Sequence, residues 1–438
     1  MTAAFGASVV LSPPTPPAAP HLGTAYTWAL SDALARASAY LGSASTLPQS
    51  WNMSSRRIED RFGADPTAYA AYCQTSVSDA LAAQQALGVE VSPQAALRDD
   101  SPKIRQIVQR HLLDLVDAGA VREITAEEKW CHACEIATPP TSANEHCHAC
   151  GAELRLDRSI GWFLELDLPT VMGRAERIRW MPAYALNRLQ NLTDVHPYIR
   201  VSHRRRGLGV PSPLASDSIL DPRLVGAMWP SVLRHLGLTE PPTVVAGLDI
   251  QRKWLLTMLA TNPEAIPKAV VNHGTLLDEH GSKMSRYAGA TLEDSPDDVD
   301  QRVLRAALLS IPLGKDVRAD RLPLAGASRL HHKLLNCLRF LALITDDAHG
   351  IDLEQELRTS FKRVEEHLAA HDVPRAMEAF RRLVVHDLSG VLIPRVRTSG
   401  GTGLDKTRIR LSSLHQVFYG SMPSSTTGKP NGAHGGCG

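Results

Sequence analysis

Apolar positions fall into two kinds of pattern along this chain. Short continuous runs come with turn signals, and longer stretches repeat at helical spacing. Ala7-Ser8-Val9-Val10-Leu11 is a run closed by Pro13-Pro14 and Pro16-Pro17, which predicts a buried strand ended by a turn. Leu22, Tyr26, Ala29, Leu30, Ala33, Leu34, Ala37 and Leu41 then follow helical spacing, and Gly42 is placed to cap the end. A strand, a turn and a helix start in this order make the phosphate-facing corner of a doubly wound α/β sheet. Ile104 to Ala118 predicts an amphipathic helix. Thr243-Val244-Val245-Ala246 and Ala269-Val270-Val271-Asn272 predict two more short buried strands that return the chain to the sheet. From Ala327 the patterns are helical: Leu330, Leu334, Leu338 and Leu341, then Leu353, Leu357, Phe361, Val364 and Leu368, then Ala376, Phe380 and Leu383. Residues 420–438 are rich in Ser, Thr, Gly and Pro, the composition of a disordered tail.

Composition changes this picture little. The 438 residues suit about three domains, and 43% hydrophobic with 21% charged residues is ordinary for a globular protein. A net charge of +1 gives no bulk attraction for a polyanion, so nucleic-acid binding would need local patches such as Arg56-Arg57 and Arg204-Arg205-Arg206. No apolar run reaches the roughly 18 residues of a membrane helix, and no secretory signal opens the chain. A cytoplasmic protein is expected, and a monomer.

The cysteines do change it. Cys131-His132-Ala133-Cys134 and Cys147-His148-Ala149-Cys150 form two Cys-x-x-Cys turns twelve residues apart. Two such turns can complete a tetrahedral cage of four sulfurs with no open position, which predicts a structural zinc. Two disulfides or free thiols are the alternatives. His132, His146 and His148 read as exposed bystanders.

Gly281-Ser282-Lys283-Met284-Ser285-Arg286 offers a cation and hydroxyls on a glycine-started loop, which suits charge neutralisation on a polyphosphate. Together with His21-Leu22-Gly23-Thr24 after the first strand, and the cysteine pairs between, it resembles the class I aminoacyl-tRNA synthetases, methionyl-tRNA synthetase most nearly. The resemblance runs over about residues 7 to 345. It implies a split Rossmann-like catalytic domain with a zinc-ribbon insertion and a C-terminal helical bundle. The segments are then 1–111 and 201–322 for the two catalytic halves, 112–200 for the insertion, 323–419 for the bundle and 420–438 for the tail.

By that resemblance His21, Thr24, Lys283, Ser285 and Arg286 are the catalytic set. ATP would be held by His21, Gly23, Thr24, Gly247, Asp249, Lys283 and Met284, with Mg2+ accompanying it. Activating a carboxylate on the α-phosphate needs two anions held together and charge spread, rather than an acid–base catalyst. The departures matter. Thr24 replaces the last histidine of the first motif, Arg286 and Tyr287 alter the second, and Leu208 replaces a tryptophan. The amino-acid pocket departs furthest. Pro13 and Thr15 replace an aromatic wall, Asn52 stands where a carboxylate meets the substrate ammonium, and the Trp-Leu-Asp segment becomes Ile219-Leu220-Asp221, with Ile219 in place of the tryptophan. Glu59 or Asp60 are alternative sources of the carboxylate. No tryptophan follows Trp254, which leaves anticodon bases without the family's stacking platform.

These features predict an ATP-dependent ligase that forms the adenylate of an amino acid or related carboxylic acid, with methionine disfavoured. The acyl group would pass to a small amine, for which a cysteinyl-synthetase-like ligase of mycothiol biosynthesis is a precedent. A genuine synthetase charging tRNA, and a non-catalytic tRNA-binding or regulatory paralog, are the competing readings.

Overall fold

The structure, a computed structural model, describes residues 8–15, 20–53, 62, 65–90, 97–132, 136–140, 142, 144–147, 151–191, 196–204, 209–250, 254–284, 299–347 and 349–421. Its centre is a five-stranded parallel sheet built from β1 (Ser8–Leu11), β2 (Ser45–Thr46), β3 (Arg179–Met181), β4 (Thr243–Gly247) and β5 (Ala269–His273), in the order β2-β1-β4-β5-β3. Alternate residues of each apolar strand serve opposite cores, as a pleated strand buried on both faces requires. Val10, Val245 and Val271 join one core, while Val9, Leu11, Val244, Ala246 and Val270 join the other with Trp229 and Met258. Full burial of each such valine or leucine contributes about 1.5–3 kcal/mol.

Helix α1 (Leu22–Tyr40) follows β1 and is buried on most of its circumference. Ala25, Ala29, Ala33 and Ala37 let it lie close against both the sheet and the C-terminal helices. It stops at Tyr40 and the chain turns through Gly42, whose φ of 89° is the left-handed conformation read from the sequence. The strand Arg179–Met181 was not expected. It lies inside 112–200, the range assigned to the insertion, yet it forms the sheet edge beside β5. Three residues carry too little periodicity to read as a strand, and pairing with Ala269–Val271 makes it one.

The insertion itself is a four-stranded antiparallel sheet in the order Ile136–Thr138, Val121–Cys131, Arg155–Glu165, Tyr198–Arg200. Arg200 anchors its inner face. The guanidinium meets the Glu128 carboxylate and the Ser159 hydroxyl and lies 4.7 Å from the Phe163 ring centre.

Helices α2 (Gln301–Leu309), α3 (Leu324–Leu343), α4 (Leu353–Ala369), α5 (Val373–Arg382) and α6 (Leu404–Tyr419) close the fold. All share the core of α1, and α2, α4, α5 and α6 pack directly on it, so bundle and sheet are one packed body. Phe361, Phe380 and Phe418 are fully buried there, as their helical spacing predicts. No helix among the described residues is long and apolar enough to cross a membrane.

Between α3 and α6, three nearly parallel rings stack: His331 lies 5.2 Å from His415 and 4.5 Å from Tyr419. Burial, with the nearby His331 and Arg302 charges, pushes His415 from 6.5 down to about 4. A histidine depressed in the folded state is neutral there while the unfolded chain takes up a proton. Stability is therefore full above pH 6.5 and is lost as pH falls toward 4. Roughly 2–3 kcal/mol of unfolding free energy should go over that window. Urea titrations at several pH values measure it, and His415→Gln should flatten the profile.

Candidate active site

A cleft of about 260 Å³ opens at the C-terminal ends of β1, β4 and β5, where a doubly wound sheet places its ligands. It is walled by Pro13, Pro14 and Thr15 after β1; by His21, Gly23, Thr24, Thr27 and Trp28 of the α1 start; by Gly247, Asp249 and Ile250 after β4; by His273 to Leu276 after β5; and by Lys283 and Met284.

His21 is the N-cap of α1. Its Nδ1 accepts from the Gly23 N–H at 3.0 Å, which places the proton of a neutral ring on Nε2. The first helical turn thus lines the cleft with Gly23 and Thr24, and the positive end of the helix dipole there favours anions. A side chain at Gly247 would displace the site, because a Cβ there would stand 2.4 Å from Asp249 Oδ1 and 3.3 Å from His273 Cε1. Lys283 sits on a short hairpin paired to Leu277. Asp278 builds its turn by accepting from the His280 N–H at 2.9 Å and the Ser282 N–H at 2.8 Å, and Gly281 takes a φ of 80°. The hairpin swings the Lys283 ammonium across the cleft mouth onto the Asp249 carboxylate. Both groups keep contact with solvent, so this pair contributes little to stability and a phosphate can compete for the lysine.

The structure therefore brings together His21, Gly23, Thr24, Gly247, Asp249, Lys283, Met284, Pro13 and Thr15. Asn52, Ile219 and Asp221 do not line the cleft. The Asn52 amide donates to the Pro222 carbonyl at 2.7 Å, and its backbone N–H reaches the Thr15 carbonyl at 3.1 Å, so it stands directly behind the cleft wall. Ile219 is buried against Gly209. Asp221 caps the helix Pro222–Ala227. Burial opposes its charge, but Arg223 and His203 hold its carboxyl well below the usual carboxylate range. Ser285, Arg286, Tyr287, Glu59, Asp60, Leu208, Arg56-Arg57 and Arg205-Arg206 lie outside the described residues, as do 422–438 of the expected tail.

Sequence reasoning missed Thr27, Trp28, Thr275 and above all His273. The available signal was position: Asn272-His273-Gly274 ends a buried parallel strand, on the side where such sheets carry their chemistry. It also missed Asp99. This buried carboxyl accepts from the Met53 N–H at 2.7 Å, one residue beyond Asn52, and burial pushes it up to about 7.

At the tip of the insertion, Cys131 ends its strand and is buried together with Cys147 and Leu154. A tight turn forms around Cys147, whose N–H donates to Ala152 at 2.7 Å and whose carbonyl accepts from the Gly151 N–H at 2.8 Å. Two thiols buried together suit a thiolate cage, and His132 and His146 are exposed as read from sequence. Cys134, Cys150 and His148 lie outside the described residues, and among the described residues no group of three metal-ligating side chains occurs.

No family model matches the chain. An isoleucine--tRNA ligase of Aquifex aeolicus is 23% identical over 336 residues, which are 57% of this chain and 35% of the relative. One from Streptococcus agalactiae is 34% identical over 132 residues, 28% of this chain and 14% of the relative. The chain thus spans only 35% or less of the length of these curated relatives. Among solved structures, Mycobacterium tuberculosis methionyl-tRNA synthetase bound by methionyl-adenylate superposes with a TM-score of 0.70 at 18% identity, covering 93% of this chain and 88% of that one. The ternary complex of Agrobacterium radiobacter K84 agnB2 LeuRS with tRNA and LeuAMS gives 0.73 at 13% identity, over 95% of this chain and 84% of that one. The chain is class I aminoacyl-tRNA synthetase-like, with the α/β fold of that class.

Proposed function

We propose that this protein is an ATP-dependent ligase that activates an amino acid or related carboxylic acid, other than methionine, as its adenylate and passes the acyl group to a small amine. The observation that carries the reading is the cleft at the strand ends, which gathers His21, Thr24, Gly247, Asp249 and Lys283 from three separate segments. In it, the α1 start would receive the phosphates and Asp249 the ribose. Lys283, exchanging Asp249 for phosphate, would stabilise charge developing as the carboxylate attacks the α-phosphate. Charge on the pyrophosphate leaving group would be screened further by magnesium arriving with ATP.

Two observations support the unusual substrate and acceptor. Asn52 supplies no charge behind Thr15, and its Oδ1 has no partner among the described residues. Of the bundle aromatics Phe340, Phe361, Phe380, Phe418 and Tyr419, all but the half-buried Phe340 are buried and offer no face on which a base can stack. The rival reading, charging of tRNA, is favoured by the likeness to a tRNA-bound leucyl enzyme over most of the chain. Pyrophosphate exchange over the twenty amino acids, with and without tRNA, decides between them. Exchange without RNA, driven by an acid other than methionine, is expected. Efficient charging of methionine tRNA would overturn both the substrate and the acceptor. No exchange with any acid would overturn the ligase reading.

The same proposal includes one structural zinc held by Cys131, Cys134, Cys147 and Cys150, supported by the shared burial of Cys131 and Cys147. Elemental analysis of purified protein tests it directly.

A further inference from the structure

We propose that Thr27 and His273 form a proton relay that takes the proton from the attacking amine during acyl transfer. The inference rests on the ligase reading above and assigns a second half-reaction to the same cleft. Both residues line that cleft, and neither belongs to the motifs that suggested adenylate formation.

The geometry defines the relay. His273 Nδ1 lies 2.7 Å from the Gly274 carbonyl, to which it must donate, so in the neutral ring Nε2 is the acceptor. Thr27 Oγ1 stands 2.9 Å from that Nε2 and 3.2 Å from the Gly23 carbonyl. Before transfer the Thr27 hydroxyl donates to Nε2. After transfer Nε2–H donates back to Oγ1, and the new hydroxyl proton turns to Gly23 O. Both protonation states are therefore fully hydrogen-bonded without any heavy atom moving. The Tyr26 ring, 4.6 Å from the imidazole, fixes its plane.

The groups facing the imidazole suit a base that must be neutral at rest. Tyr26 and Thr27 face it from α1, Asp249 from the turn after β4, and Lys283 from the hairpin. Burial, aided by Lys283, lowers the His273 pKa, while the Gly274 carbonyl and Asp249 act the other way. The ring is thus available as an acceptor at neutral pH, and Asp249 partly offsets the charge it acquires.

The step balances. The amine nitrogen attacks the acyl carbon of the mixed anhydride, the C–N bond forms, and the C–O bond to phosphate breaks to release AMP. The nitrogen's proton passes to Thr27 Oγ1 as the Thr27 proton passes to His273 Nε2, and the imidazolium later loses it to solvent. Adenylate formation needs no such base, because a carboxylate attacks already deprotonated.

Thr27→Val removes the hydroxyl at nearly constant volume. Enzyme loaded with the adenylate of whichever acid drives pyrophosphate exchange is separated from ATP and mixed with hydroxylamine as the probe amine. Hydroxamate formation is then followed over a single turnover between pH 5 and 9, with the concentration of free-base hydroxylamine held constant. In Thr27→Val, transfer should fall about 10²-fold, at least tenfold more than exchange falls. Thr27→Ser should retain most of it. Wild-type transfer should decline as pH drops below the usual imidazole range, and this acid limb should vanish in Thr27→Val. Equal losses in transfer and exchange, or an acid limb that persists in Thr27→Val, would overturn the relay while leaving adenylate formation standing. Absence of exchange in the wild-type protein would overturn the ligase reading and the relay with it.

Discussion

Lys283→Ala is expected to lower ATP–pyrophosphate exchange by about 10²-fold or more, the scale on which removal of one preorganised charge donor acts. The expectation follows from where the hairpin puts the ammonium. It reaches Asp249 across the cleft mouth, so it already stands at the cleft that the start of α1 lines. Its present partner is a solvent-touching carboxylate, a weak tie that phosphate can replace. Ground-state ATP binding should weaken far less than turnover, because the lysine matters most where charge accumulates in the transition state. Exchange kinetics give the turnover, and equilibrium titration with ATP gives the affinity. Undiminished exchange in this variant would remove Lys283 from the mechanism.

Asp32→Asn is expected to destabilise the protein by about 3–5 kcal/mol, the cost of leaving a buried charge without its partner. Asp32 lies in the middle of α1 and takes Arg36 at 2.7 Å, Arg305 of α2 at 2.6 Å and the Glu90 N–H at 2.9 Å. Arg305 is completely buried and also donates to the Val417 carbonyl of α6 at 2.8 Å. Without the carboxylate a guanidinium would be stranded between the sheet's helix and the bundle. Denaturant titration reads the loss. A compensating Asp32→Asn/Arg305→Met pair should be much less destabilised than the sum of the single changes, since the stranded charge is gone. A loss below about 1 kcal/mol in Asp32→Asn would show that the cluster does not hold the bundle to α1. The helix that Asp32 fixes also presents His21, Thr24 and Thr27, so its exchange rate should fall as well.

Much of the site was legible because its signals are local. The strand Ser8–Leu11 shows itself by uninterrupted apolar residues before a proline-rich turn, and α1 by apolar positions at helical spacing. The glycine at 281 marks the hairpin turn that carries Lys283. These are decided within a few residues, by burial of both strand faces, by helix periodicity and by permitted backbone angles. They were enough to bring two segments some 260 residues apart to one expected cleft.

What the sequence by itself determined is therefore the class of fold, its first strand and the two that return to the sheet, its helical C-terminal part and the side of the cleft lined by His21, Thr24 and Lys283. The tertiary structure alone decided the rest. Arg179–Met181 became an edge strand only because β5 offered unpaired backbone groups beside it. Asn52 was taken up by Pro222, 170 positions away, and Asp221 by Arg223 and His203, so residues expected in the pocket became its frame. Thr27 and His273 meet across 246 positions. A side chain's hydrogen-bond partner is set by whichever polar group burial leaves beside it. That choice is made when the sheet, its insertion and the bundle close on one another, and no local pattern records it.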